Sequence, residues 1–148
     1  MLEASCGRAR VLIVDDEPEI RELLCDLFSF DYQCASVSSA EEALELLAAA
    51  KFDLVISDIT MSGMSGLEMI PHVLSISPET VVVMISGMQT IESAIETLRL
   101  GAFDYIMKPF DLRQVEAAVK RALEHHELRE AKQRYENHLE ELVEQRTI

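Results

Sequence analysis

The chain has 148 residues, 49% of them hydrophobic, which suits one compact domain with an appendage and argues against wholesale disorder. Its formal net charge is −14, and residues 1–110 hold 18 acids against 6 bases. An acidic body of this kind repels phosphate backbones and anionic lipid, so direct binding to nucleic acid or to a membrane is not expected.

In chain order, short apolar runs alternate with stretches of helical period. Strands are expected at Arg10–Asp15, Gln33–Val37, Asp53–Ser57, Thr80–Ile85 and Phe103–Met107. The first intervening helix carries Ile20, Leu23, Leu24, Leu27 and Phe28 on one stripe, with Pro18 tolerated in its first turn. The second and third open with Ser39-x-x-Glu42 and Ser65-x-x-Glu68, both capping-box patterns. A fourth carries Ile91, Ala94, Ile95 and Leu98 on one face and stops at Gly101. A fifth opens at Asp111-x-x-Gln114. With no proline or glycine from there to Ile148, it can run about 50 Å at 1.5 Å per residue. Its first part has a sheet-facing stripe in Leu112, Val115, Val119 and Leu123. Beyond about His126, Leu128, Ala131, Tyr135, Leu139 and Leu142 recur at steps of three and four, the spacing of a weak coiled-coil seam. A frayed, solvated tail is the plainer alternative.

Five apolar strands alternating with helices read as parallel βαβ units with helices on both faces of the sheet, an α/β fold. Cys6, Cys25 and Cys34 are odd in number and lack C-x-x-C spacing, so they read as reduced small hydrophobes in a cytoplasmic protein. No secretory signal and no membrane-length apolar run is visible. His125, His126 and His138 are expected in solvent on the last helix and His72 on a helix surface, and no histidine is assigned a function.

The polar residues at the strand ends carry the chemistry. Asp15 and Asp16 follow the first strand, Asp58 the third, Ser86 the fourth and Lys108 the fifth, all at carboxyl ends, where open α/β sheets bind ligands. Three carboxylates at close range raise one another's pKa unless a cation intervenes. Mg²⁺, which favours oxygen ligands and retains waters, is the expected cofactor. Lys108 adds a charge that can grip an anion and Ser86 a hydroxyl donor. Together these make a phosphoryl-transfer site with a carboxylate nucleophile. Singly, each residue has a plainer reading as a helix cap, a turn residue or a solvated charge. Their joint placement at four strand ends does not.

Val11-Leu12-Ile13-Val14-Asp15-Asp16-Glu17, Asp53-Leu54-Val55-Ile56-Ser57-Asp58 and Gly101-Ala102-Phe103-Asp104-Tyr105-Ile106-Met107-Lys108-Pro109-Phe110 resemble the receiver domains of bacterial two-component response regulators, from about Arg10 to about Leu123. The resemblance implies a flavodoxin-like, doubly wound sheet with strand order 2-1-3-4-5 and an extended C-terminal helix. It implies phosphoryl transfer from a sensor histidine kinase to Asp58. Asp16, Asp58 and the Thr60 backbone carbonyl would hold Mg²⁺, with Asp15 assisting through water. Lys108 would contact the phosphoryl group, Lys108–Pro109 would be a cis peptide, and Ser86 with Tyr105 would form the switch pair.

Thr60 and Met88 occupy the positions that tune hydrolysis in the family and offer no carboxylate or amide to orient water, so a long-lived phosphorylated state is expected. Ser62 stands where the family usually has proline, so the loop 61–65 is expected to be more mobile.

By these readings residues 1–9 form an extension, 10–125 the receiver domain and 126–148 a helical, coiled-coil linker toward an effector domain outside the sequence. A homodimer is expected through the C-terminal helix or the face between the fourth and fifth helices. The chain is expected to be regulatory, catalysing only its own phosphorylation and dephosphorylation. The alternatives are a phosphate-independent interaction module and a phosphatase working through an aspartyl-phosphate. The second lacks a visible general acid and a substrate-covering cap.

Overall fold

The computed structural model describes residues 8–87 and 90–147. Its strands are β1 (Arg10–Val14), β2 (Gln33–Val37), β3 (Leu54–Asp58), β4 (Val81–Ser86) and β5 (Asp104–Met107). Its helices are α1 (Pro18–Phe28), α2 (Ala40–Ala49), α3 (Gly66–Ile76), α4 (Ile91–Arg99) and α5 (Leu112–Thr147). All strand pairs are parallel, in the order β2-β1-β3-β4-β5. This is the flavodoxin-like fold, and each strand lies within one residue of its expected bounds.

Alternation along the buried strands sorts their side chains to two faces. Val11, Ile13, Leu54, Ile56, Val83 and Ile85 pack with Leu24 and Phe28 of α1 and Val115, Ala118, Val119 and Ala122 of α5. Leu12, Val14, Val55, Val82 and Met84 pack on the opposite side with Ala43 and Leu47 of α2 and Met69, Ile70 and Val73 of α3. The three inner strands are therefore apolar nearly throughout, as burial on both faces requires.

Of the two predicted capping boxes, one forms in full. Ser65 and Glu68 form a complete capping box at α3. At α2 only half of the box forms: Ser39 accepts the Glu42 N–H, while the Glu42 carboxylate accepts the Ser38 hydroxyl at 2.9 Å. Asp111 accepts the Arg113 N–H at 2.9 Å where α5 begins.

Helix α4 lies the other way round from its apolar stripe. Ile91, Ile95 and Leu98 are exposed, and Ser93 and Thr97 face inward. Thr97 can be buried because its hydroxyl donates to the Ser93 carbonyl one turn back.

Helix α5 is continuous over 36 residues, about 54 Å long. Val115, Ala118, Val119, Ala122, Leu123 and His126 are buried, whereas every residue from Ala131 to Glu144 is exposed. His126 corrects the sequence expectation: it is 3% exposed. Its neighbour His125 is half-buried and stacks on Phe103, centroids 4.9 Å apart. His72 is exposed as expected, and so is His138.

Candidate functional site

The strand registers bring the site together. Val14 lies opposite both Val37 and Ser57, Asp58 opposite Ile85, and Ser86 opposite Met107. Aligned ends place Asp15 just beyond β1, Asp58 and Ser86 as the last residues of β3 and β4, and Lys108 just beyond β5. Asp16, Glu17, Asp58, Thr60, Gly87 and Lys108 line one cleft at this edge.

Lys108 is the centre of charge. Its Nζ donates to Asp58 Oδ2 at 3.2 Å and lies 3.7 Å from both Asp15 Oδ2 and Glu17 Oε1. The Lys108 backbone N–H donates to the Ser86 carbonyl at 2.7 Å, and the Lys108–Pro109 peptide is cis. Asp15 is held by the Glu17 N–H on its Oδ1 at 2.9 Å, while Arg21 donates to the Asp15 carbonyl. The Thr60 N–H approaches Asp58 Oδ1 at 3.4 Å.

Asp15 and Asp58 are 3% and 6% exposed, so these carboxylates have lost most of their water. Burial pushes the Asp15 carboxyl above its usual range, although the Glu17 N–H and Lys108 favour its charged form. Burial works against the Lys108 ammonium, but Asp15, Asp58 and Glu17 outweigh it and raise its pKa. One ammonium thus faces a surplus of acid. Oxygens from Asp15, Asp16, Glu17 and Asp58 lie within 4.8 Å of one another. An all-oxygen, net-negative donor set fits a hard divalent cation such as Mg²⁺.

Ser86 is fully buried and Tyr105 half-buried against the cluster that holds Met84 and Ala102. Met88 lies outside the described residues. The loop with Ser62 in place of proline is tied at several points. Glu41 accepts the Met64 N–H at 3.0 Å, Gly63 takes φ 77°, and Met61 is buried. The Met64 N–H is the main reason the Glu41 carboxyl lies below its usual range.

Two contributors escaped the sequence reading. Glu17 stood in the acidic run but was assigned no role, and the structure turns it toward Lys108. Gly66 opens α3 directly under the site: a Cβ there would overlap the Asp58 carbonyl oxygen and stand 2.6 Å from Met84 Cε. Its place after Ser65 of the capping box was the only local signal.

Residues 11–120 match the family model for the response regulator receiver domain. The chain is 40% identical over 118 residues to the response regulator protein PilR of Pseudomonas aeruginosa, covering 79% of this chain and 26% of that one. It is 39% identical to the regulatory protein AtoC of Escherichia coli, covering 78% of this chain and 25% of that one. It therefore spans about a quarter of the length of these curated relatives. Among solved structures, a CheY-like receiver domain protein from Methanospirillum hungatei aligns with TM-score 0.79 at 28% identity, covering 83% of this chain and 99% of the other. The beryllofluoride-activated NtrC4 receiver domain dimer aligns with TM-score 0.75 at 27% identity, over 79% and 98%. On the match over residues 11–120 and these likenesses, the chain belongs to the response regulator receiver domain family.

Proposed function

We propose that this receiver domain is a switch worked by phosphorylation of Asp58. The observation that carries the reading is the Lys108 ammonium 3.2 Å from Asp58 Oδ2, beside a surplus of buried carboxylates at the ligand-binding edge of the sheet. In the reaction an Asp58 carboxylate oxygen attacks the phosphorus of a kinase phosphohistidine. The P–N bond breaks, histidine leaves with the bonding pair, and an acyl phosphate remains. Lys108 passes from the Asp58 carboxylate to the phosphoryl oxygens and holds their charge.

Mg²⁺, held by Asp16, Asp58 and the Thr60 carbonyl with Asp15 assisting through water, would neutralise charge on the transferring group. The new phosphate then draws the Ser86 hydroxyl toward it, and the Tyr105 ring turns into the vacated space, changing the surface around α4 and β5. Thr60 has no carboxylate or amide to orient water, so the phosphorylated state persists.

The output lies beyond the receiver domain. Ile91, Ile95, Leu98 and Met107 form an exposed apolar patch at α4 and β5, suited to a second copy of the chain. Leu128, Tyr135, Leu139 and Leu142 of α5 are exposed as well and suit a coiled-coil seam leading from residue 126 to an effector domain. None of the described helices is long and apolar enough to cross a membrane. A sensor histidine kinase as phosphodonor, a cytoplasmic location and a purely regulatory role belong to the same reading.

Incubation with Mg²⁺ and acetyl phosphate, followed by intact-protein mass, tests it. A phosphoryl-sized gain in wild type and none in Asp58→Asn is expected. An equal gain in both would move the acceptor elsewhere.

A further inference from the structure

A second cluster of ionisable groups lies at the other end of β3. Asp53 precedes the strand that Asp58 ends, so the two sites stand about 16 Å apart at strand rise. Asp53 Oδ1 is 3.4 Å from His126 Nε2, and Glu130 Oε1 is 3.5 Å from His126 Nδ1. His126 is 3% exposed, and its Nε2 has no hydrogen-bond partner. A buried ring nitrogen without a hydrogen bond, beside a carboxylate, is costly as it stands.

No arginine forms an ion pair with Asp53 or Glu130 among the described residues. Asp53 Oδ2 accepts the Arg10 N–H at 2.7 Å, which fixes the carboxylate and turns Oδ1 toward His126. The Arg10 guanidinium itself lies over the Phe52 ring. Arg8 donates to the carbonyls of Ser29, Phe30 and Tyr32, and Arg129 to that of Pro78. These three arginines thus spend their hydrogen bonds and ring contact on neutral groups and not on Asp53 or Glu130. Glu127 adds a further carboxylate, and Arg8 one cation, to the small cleft that Asp53, His126 and Glu130 line.

We propose that Asp53, His126 and Glu130 bind a divalent transition-metal ion, with Zn²⁺ as its best mimic. Donors about 2.0–2.1 Å from a tetrahedral ion stand about 3.3 Å apart, close to the 3.4 Å between Asp53 Oδ1 and His126 Nε2. The ion sits between Asp53 Oδ1 and His126 Nε2. Glu130, which now lies beside the other ring nitrogen, turns its carboxylate around the ring to join them, since one donor atom from each residue already lies within 4.8 Å of the other two, and water takes the fourth position. Imidazole with carboxylates selects Zn²⁺ and its neighbours over Mg²⁺. Histidine and glutamate one turn apart supply two ligands from α5 at the point where the helix leaves the sheet. The third comes from the head of β3, so the ion fastens the outgoing helix to the domain.

The test uses the full chain stripped of metal and titrated with Zn²⁺ in excess Mg²⁺, with bound zinc counted after desalting. The imidazole of His126 is followed by NMR. His126→Gln and Glu130→Gln are compared with wild type and with Asp16→Asn, which alters only the phosphorylation cleft. One zinc per chain that shifts the His126 signals, retained in Asp16→Asn and bound about tenfold or more weakly in both other variants, is the expected result. Equal binding in Glu130→Gln, a partly exposed position where folding is not at stake, would overturn the proposal. So would a His126 ring that titrates with pH but does not respond to zinc, since a proton would then be the cation that the cluster takes up.

Discussion

Replacing Gly66 by alanine sets two effects against each other. Gly66 is the first residue of α3, and helix propensity alone makes alanine better by at most about 1 kcal/mol. The added Cβ, however, would overlap the Asp58 carbonyl oxygen and crowd Met84 Cε. Neither neighbour gives way cheaply. Asp58 pairs with Ile85 in the sheet, its carbonyl accepts the Ser57 hydroxyl at 2.9 Å, and Met84 is fully buried. The start of α3 is also tied by the Gly66 N–H to the Ile59 carbonyl at 2.8 Å. Overpacking of this kind costs about 1–3 kcal/mol, so the clash wins. We expect a net loss of about 1 kcal/mol, or about 3–6 °C in Tm for a domain of this size. Because the displaced atom belongs to the proposed phosphate acceptor, phosphorylation by acetyl phosphate should slow about tenfold or more. Urea denaturation and the time course of the mass gain measure both. Gly87→Ala, where a Cβ meets nothing within 4 Å, is the stability control. Stability of Gly66→Ala at or above wild type would refute the reasoning.

Other substitutions probe separate parts of the molecule. The Asp15 carboxyl is raised by burial, so its ionisation opposes folding: stability is lost as pH rises from its unfolded pKa through the folded one. Asp15→Asn should therefore flatten that decline in thermal melts in EDTA, and an unchanged slope would count against it. Burial pushes the Cys34 thiol up to about 11. Its alkylation by iodoacetamide at pH 8 should run about 100-fold slower than that of the unfolded chain, and equal rates by peptide mass would contradict this. Thr60→Asn, which supplies an amide to orient water, should shorten the phosphorylated lifetime several-fold, while loss of phosphate within seconds in wild type would show that Thr60 does not protect it. Removing residues 131–148 should leave Tm within about 1 °C, because residues 131–144 are all exposed, and should shift the chain from dimer to monomer in sedimentation. A dimer that survives would place the interface at α4 and β5.

Much of the fold was legible because its signals are local. The apolar runs at Val11–Val14 and Val81–Ile85 have the length and flanks of buried strands, and Ser65-x-x-Glu68 announces the first turn of α3. The edge where Asp15, Asp58 and Lys108 gather was legible as well. In a parallel sheet every strand points the same way, so residues that close successive apolar runs must meet at one edge, and Asp15, Asp58 and Lys108 do. The strand order rested on resemblance to a family, because a βαβ pattern alone permits several orders.

Periodicity says which residues share a face but not what covers that face. The Ile91–Ile95–Leu98 stripe therefore looked like a core face, yet α4 buries Ser93 and Thr97 instead. Gly66 likewise gives no local sign that the Asp58 carbonyl lies against it. The same limit explains His126: its burial depends on residue 53, far away in sequence and adjacent only after β3 and α5 pack. The chain's own order of residues determined the elements, their direction and the edge where the acids gather. Tertiary packing decided which faces are covered and which distant charges become neighbours, because those contacts join parts of the chain that share no local pattern.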